Sequence, residues 1–286
     1  MPRVVAAVAV AVLLLAVGCG GGDGGEGRPR VVASFFPLAE VARRVGGHRV
    51  AVTDLTPSGA EPHDLELTSD QVDDLLDADL VVHLGGGFQP AVEDVVDQRD
   101  GATVDVLSAL GVDEDGDDVD PHVWLDPTQL GRIVDVVAGA LADEVPDSEA
   151  DVDAAARRYR DELADLDADL ASQLGDCRRD LVVSAHDAFG RLARRYGLRT
   201  EALTGLSPEA EPDPDRLAEL ADLVEREGVT TVYTEALVAP DVAEALAREA
   251  GVRTAVLDPV EGPSDGGYVG AMRRNGDALA EALGCS

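Results

Sequence analysis

Residues 151–174 read DVDAAARRYRDELADLDADLASQL, and this stretch determines how the rest of the chain is organised. Leucines recur in it at steps of three and four residues among charged side chains, which is the spacing of one face of an amphipathic helix. Neither Gly nor Pro interrupts the stretch. The pattern therefore predicts one helix of 24 residues, about 36 Å long at the usual rise per residue.

On either side of this helix, short β-branched runs alternate with longer amphipathic segments. Such alternation predicts an α/β fold with two lobes, each a parallel sheet flanked by helices. The predicted strands are 31–34, 50–55, 80–84, 103–107, 181–184, 200–203, 230–234 and 254–257, and the predicted helices are 38–45, 69–76, 90–97, 128–141, 188–196, 214–227, 241–250 and 268–283. A flexible hinge would contain Gly or Pro, so we predict a rigid linker over 148–176 between lobes at 30–147 and 177–286.

The first residues have the pattern of a targeting segment. An unbroken apolar run covers residues 4–17; as a helix it spans only about 21 Å, short of a hydrocarbon core of about 30 Å, so we predict a signal peptide at 1–18. Small residues before Cys19 resemble a lipobox, although Ala16 stands where Leu is more common. We expect lipidation of Cys19, a Gly-rich tether over 19–29 and attachment to the outer face of the cell membrane. An ordinary secretory signal is the alternative.

The charge of the chain restricts its partners. Among 286 residues there are 57 acidic and 23 basic residues, every basic one is Arg, and the net charge is −34. A nucleic-acid partner is therefore not expected, because binding to phosphates needs a basic face. Cations are attracted instead, although adaptation of the surface to a saline or alkaline habitat is the simpler explanation of the overall excess.

Two cysteines remain if the first is lipidated. Cys177 and Cys285 form an even pair, and outside the cytoplasm a disulfide between them is the default prediction. Two buried free thiols are the alternative.

Loops that follow predicted strands carry the candidate metal ligands. Open parallel sheets bind ligands beyond the carboxyl ends of their strands, and His63, His122, His186 and Asp258 all fall there. Two come from each lobe, so we predict a metal ion in the interlobe cleft. Three imidazoles and one carboxylate suit zinc, whereas a set richer in oxygen would suit manganese. Taken alone, each His is more often a structural hydrogen-bonder than a ligand, and Asp258 before Pro259 is equally typical of a turn or cap. Candidate residues around the ligands are Glu61, Asp64, Asp187 and Glu235.

Four segments resemble the motifs of a known family, namely 62–66 (PHDLE), 120–127 (DPHVWLDP), 186–190 (HDAFG) and 205–212 (GLSPEAEP). The chain resembles the metal-specific, zinc/manganese-type solute-binding lipoproteins of ABC transporters. The resemblance implies two α/β lobes joined by a rigid helix and a monomer that captures Zn²⁺ outside the membrane and delivers it to an ABC permease. It also implies that the four candidate ligands hold the transported Zn²⁺. Manganese-type members commonly carry Glu at the position of His186, which favours the zinc branch.

One segment departs from the family, and several functions remain open. Zinc-type relatives often carry a His-rich loop before His122, but 113–120 is acidic and contains no His. It is either a weak collector of cations or a solvated acidic loop. Alternatives to zinc delivery are the same role for Mn²⁺ or Fe²⁺, or a metal-stabilised surface adhesin. No HExxH or GxSxG motif occurs, so an enzyme is not expected.

Overall fold

The computed structural model describes residues 27–112, 119–208 and 213–286. The predicted signal peptide, the lipidation site at Cys19 and most of the acidic segment lie outside these residues. No helix among the described residues is both long and apolar enough to cross a membrane.

The first lobe is a parallel four-stranded sheet with helices on its faces. Its elements are β1 (Arg30–Ala33), α1 (Phe36–Gly46), β2 (Ala51–Asp54), α2 (Ser69–Leu76), β3 (Leu80–His83), α3 (Pro90–Val96), β4 (Ala102–Asp105), α4 (Val106–Leu110) and α5 (Pro127–Glu144). The strand order is β2-β1-β3-β4. The strands β1 and β3 lie in the middle and are apolar on both faces, because helices cover both sides of the sheet.

The second lobe repeats this architecture. Its elements are β5 (Leu181–Ser184), α7 (Gly190–Tyr196), β6 (Arg199–Ala202), α8 (Pro214–Glu227), β7 (Thr231–Thr234), α9 (Asp241–Ala250), β8 (Arg253–Val256) and α10 (Gly267–Leu283). The order β6-β5-β7-β8 is again fully parallel. Both central strands therefore point their carboxyl ends at a loop cluster, which is where ligands bind in such sheets.

The long linker helix α6 runs from Glu149 to Gln173 without a break. Leu163, Leu166 and Leu170 are buried as the leucine spacing predicts. The helix α10 approaches α6 closely at Gly276, where a Cβ would lie 2.5 Å from Leu170 Cδ2. The predicted fold of two parallel-sheet lobes joined by one long helix is confirmed.

One apolar core continues across both lobes. Val31 and Trp124 of the first lobe belong to the same buried cluster as Leu166 of α6 and Tyr233 and Leu257 of the second lobe. Separate smaller clusters cover the outer face of each sheet. The lobes are thus joined by buried surface as well as by the helix.

Two further features bear on the sequence predictions. The predicted disulfide is present between Cys177 and Cys285, and it closes the chain of the second lobe.

The short helix α4 was not predicted, because Val106 and Leu107 continue the apolar pattern of the preceding strand. The helix begins there because the Asp105 side chain accepts a hydrogen bond from Ser108 N, at 3.0 Å, and caps it.

Candidate metal centre

Four side chains from four loops converge at the seam between the lobes. His63 follows β2, His122 precedes a 3-10 turn (Val123–Leu125), His186 follows β5 and Glu261 follows β8. One ligand atom from each lies within 4.8 Å of every other. Two donors come from each lobe, as the sequence predicts.

Three of the six distances between these donors are close to those of a tetrahedral site. His186 Nε2 and His122 Nε2 are 3.4 Å apart, and Glu261 Oε1 lies 3.5 Å from His63 Nε2 and 3.8 Å from His122 Nε2. The edge of a tetrahedron is about 1.6 times the bond length, so zinc bonds of about 2.0 to 2.1 Å require edges of about 3.3 to 3.4 Å. The donors are therefore spaced for a small four-coordinate ion.

Carboxylates lie behind two of the imidazole rings. His122 Nδ1 is 3.0 Å from Asp120 Oδ1, which also accepts a hydrogen bond from His122 N at 3.1 Å. His186 Nδ1 lies 2.6 Å from Glu235 Oε2, and Glu235 Oε1 accepts from His186 N at 3.1 Å. A proton on each Nδ1 leaves a lone pair on each Nε2. The two Nε2 atoms are 3.4 Å apart, which is close enough for them either to share a proton as a hydrogen bond or to bind one cation together.

The imidazoles have unequal proton affinities. Burial lowers the pKa of His63 to about 4 and also lowers the pKa of His122. Burial acts in the same direction on His186, but Glu235, Glu261 and Glu61 outweigh it and raise its pKa. His63 and His122 are therefore neutral and available to a metal at neutral pH, whereas a proton competes for His186.

Glu261 is a buried carboxyl group without a hydrogen-bond donor. Its side chain is fully enclosed, and neither carboxylate oxygen has a hydrogen-bond partner in the part of the chain that the structure describes. Burial and the neighbouring carboxylates Glu235 and Asp258 raise its pKa to about 7. A buried carboxylate needs a partner charge, and a cation between it and the imidazoles supplies one.

The fourth predicted ligand lies elsewhere. The structure brings His63, His122 and His186 together, but the carboxylate that joins them belongs to Glu261, and Asp258 is not part of this group. Asp258 Oδ1 instead accepts a hydrogen bond from Val260 N at 2.8 Å. Asp258 occupies the expected position after the last strand, but its side chain turns back onto its own loop.

The candidate residues around the ligands have different positions. Glu235 contacts His186 as described, and Glu61 Oε1 accepts from His63 N at 3.2 Å. Asp187 is half-buried in a cavity of about 490 Å³ that Asp120 also lines. Asp64 is exposed. Asp120 was missed, although the sequence held a signal, since an acidic residue and a proline precede His122 as they precede His63.

One side of the centre is more open than the other. His63 lines a cavity of about 300 Å³ together with Phe88, Pro121 and Leu206. Its side chain is 8% exposed, whereas the side chains of His122 and His186 are 0% exposed. A metal ion would therefore enter and leave past His63.

Two parallel-sheet lobes that enclose metal-type donors at their seam define a metal-binding protein of the two-lobed, solute-binding class. The model of the family described as "ZnuA: Zinc-uptake complex component A periplasmic" matches residues 31–282. The chain belongs to this family, which is one of transport components.

Individual relatives support this assignment. The chain is 31% identical over 280 residues to the zinc-binding lipoprotein AdcA of Streptococcus pneumoniae R6, with 90% of this chain and 56% of AdcA covered. It is 30% identical to the high-affinity zinc uptake system protein ZnuA of Bacillus subtilis, with 88% and 87% covered. The periplasmic zinc-binding protein TroA from Treponema pallidum superposes with a TM-score of 0.85 at 25% identity, over 90% of this chain and 99% of that one. The chain thus spans about half the length of AdcA.

Proposed function

We propose that this protein is the extracytoplasmic substrate-binding component of an ABC importer, and that it captures Zn²⁺ and delivers it to the membrane permease. The observation that carries the proposal is the convergence of three imidazoles and one carboxylate within 4.8 Å of one another, with three of the donor pairs at 3.4 to 3.8 Å. The names of the relatives AdcA and ZnuA support zinc as the ion.

The proposed zinc ligands are His63, His122, His186 and Glu261. We assign the fourth place to Glu261 rather than to Asp258 because its oxygens face the imidazoles and lack other partners. A set richer in nitrogen than in oxygen favours Zn²⁺ over Mn²⁺, which prefers oxygen donors and higher coordination numbers. The same transport role for Mn²⁺ or Fe²⁺ is the competing assignment.

Catalysis is not part of the proposal. A catalytic zinc site keeps one coordination position open for water. The four protein donors here are enough to fill a four-coordinate site without water, and three of their side chains are wholly buried. Such closure suits the holding of an ion rather than chemistry on a bound water.

We also propose that the protein is anchored through lipid on Cys19 and acts as a monomer. The lipobox-like sequence before this cysteine supports the anchor, and the disulfide between Cys177 and Cys285 supports an oxidising compartment. Incorporation of labelled fatty acid into the wild-type chain, and its loss in Cys19→Ala, tests the anchor. Light scattering of the purified protein tests the monomer.

Competition between metals tests the central proposal. Calorimetric titration of a chain that lacks residues 1–27, with Zn²⁺ and Mn²⁺ in competition, should give a preference for zinc of several orders of magnitude. The substitution His186→Ala should weaken zinc sharply, because it removes a wholly buried donor. Equal affinities for the two metals would contradict the zinc assignment.

A further inference from the structure

The turn that carries Glu261 has an unusual backbone. Val260 has φ of 58°, and it is the one residue other than Gly with a positive φ among the described residues. The region is unfavourable for a β-branched side chain, and Val260 is also fully buried. Strain of this kind persists only where the surroundings impose it, and it concentrates at functional sites.

Three sets of hydrogen bonds tie down the backbone just before Glu261. Asp258 Oδ1 accepts from Val260 N at 2.8 Å. The buried Asn275 of α10 holds the backbone of Asp258 on both sides, since Asn275 Oδ1 accepts from Asp258 N at 2.9 Å and Nδ2 donates to Asp258 O at 2.7 Å. From the other lobe, Trp124 Nε1 donates to Pro259 O at 2.7 Å.

The hydrogen bond that Asp258 accepts from Val260 N follows a pattern that recurs in this chain. Wherever an acidic residue precedes Pro in the described residues, its carboxylate accepts the backbone N–H two positions on, because Pro fixes the backbone and offers no N–H of its own. The five pairs, each given as acceptor and then donor, are Glu61 with His63 (3.2 Å), Asp120 with His122 (3.1 Å), Asp126 with Thr128 (2.8 Å), Asp213 with Asp215 (2.9 Å), and Asp258 with Val260 (2.8 Å). Asp258 therefore behaves as a turn-forming residue.

Glu261 depends on this turn for its position. Among the described residues no hydrogen bond holds either of its carboxylate oxygens, so its direction depends on the backbone that precedes it, at Val260. If Val260 relaxed to a negative φ, the following residue would leave in a different direction and the carboxylate would no longer face the imidazoles.

We propose that Asp258 is a positioning residue, not a zinc ligand, and that its bond to Val260 N holds the strained turn that aims Glu261 at His63 and His122. The inference rests on the proposed function, because it assumes that Glu261 binds the metal. It assigns to Asp258 a role that depends on hydrogen-bond acceptance and not on its charge.

Conservative and truncating variants of the full chain separate these roles. In zinc competition with a chromophoric chelator, Glu261→Gln should weaken zinc by about 100-fold or more, and Asp258→Ala by about 10- to 100-fold. Asp258→Asn keeps an oxygen that accepts from Val260 N, so its affinity should stay within about threefold of wild type. The double variant Asp258→Ala with Val260→Gly should recover most of the loss, because Gly adopts a positive φ without strain.

Two readouts besides affinity guard against misfolding. The absorption of the Co²⁺-loaded protein reports four-coordinate geometry, and it should be the same in Asp258→Asn as in wild type. The unfolding midpoint of the metal-free protein shows whether Asp258→Ala is folded. If Asp258→Ala is unfolded, Asp258→Asn and its Co²⁺ spectrum alone decide between the two roles.

The outcomes that contradict the inference differ from those that contradict the function. If Asp258→Asn weakens zinc as much as Glu261→Gln and alters the Co²⁺ spectrum, Asp258 is a ligand and the inference is wrong. If a folded Asp258→Ala binds zinc like wild type, the turn needs no tether and the inference is also wrong. If Glu261→Gln and His186→Ala both bind zinc like wild type, the proposed metal centre itself fails.

Discussion

Removal of the charge behind His122 should weaken zinc binding by about tenfold. Asp120 Oδ1 lies 3.0 Å from His122 Nδ1. Burial favours the neutral acid, but the bond to His122 and the nearby Arg191 outweigh it and hold the pKa of Asp120 below its usual value. Asp120 is therefore ionised at neutral pH and increases the basicity of the ring that would bind the metal.

The magnitude follows from the kind of hydrogen bond that is lost. A hydrogen bond to a charged group contributes about 1.5 to 3 kcal/mol and a neutral one about 0.5 to 1.5 kcal/mol. The substitution Asp120→Asn keeps an acceptor and loses only the charge, a difference of about 1 to 1.5 kcal/mol, and about 1.4 kcal/mol is a factor of ten in affinity. Asp120→Ala loses the acceptor as well and should cost up to about 100-fold.

The assay is zinc competition with a chromophoric chelator at fixed pH and ionic strength, and Asp167→Asn is the matched control. Asp120 pairs with Arg194 of α7, and Asp167 pairs with Arg195 of the same helix. Their side chains are 16% and 15% exposed, and Asp167 is not among the groups that contact His122 in the described residues. Equal zinc affinities for Asp120→Asn and Asp167→Asn would refute the reasoning.

Further predictions concern pH and covalent structure. Zinc affinity should fall as the pH drops through the raised pKa of His186, because proton and metal compete for the ring. In chelator competition, Glu235→Gln should move the midpoint pH of this fall in affinity to a lower value, because Glu235 raises the pKa of His186. Burial raises the pKa of Asp54 from 3.8 to about 6, so the folded state binds its proton more tightly. In urea titrations of the metal-free protein, the unfolding free energy of wild type should therefore fall by about 2 kcal/mol relative to Asp54→Asn between about pH 4 and pH 7. Replacement of Cys177 and Cys285 by Ser removes a bridge between residues 108 positions apart and should lower the unfolding free energy by about 4 to 5 kcal/mol in the same titration.

The regular elements were predictable from the sequence because they repeat. The leucine period of α6 predicts its length to within a few residues, and apolar runs mark the strands on which His63 and His186 depend. The sheet type then places the histidines at one edge, since parallel strands share the direction of their carboxyl ends. The approximate location of three donors follows from these two facts alone.

The fourth donor could not be predicted in this way, because it depends on an irregular turn. Position after the last strand favoured Asp258, and nothing periodic distinguishes it from Glu261 three residues later. In the assignment proposed above, the choice between them depends on the positive φ of Val260 and on a hydrogen bond to Pro259 O from Trp124, which lies 135 residues away in sequence. Contacts of this kind leave no local pattern in the sequence.

The loops of His122 and Glu261 are held by more hydrogen bonds than His63 is, and this difference suggests the order in which the ligands release the metal. On one side, Trp124 Nε1 donates to Pro259 O at 2.7 Å and Tyr268 OH donates to Trp124 O at 2.6 Å, both in buried surroundings. These bonds connect the loops of His122 and Glu261 across the seam, and each costs about 1 kcal/mol or more to break without replacement. His63 packs on the Phe88 ring at 4.4 Å between centroids and faces the open cavity. We therefore expect that metal leaves by the loss of His63 first, while the donors of the locked side keep their positions for the next ion.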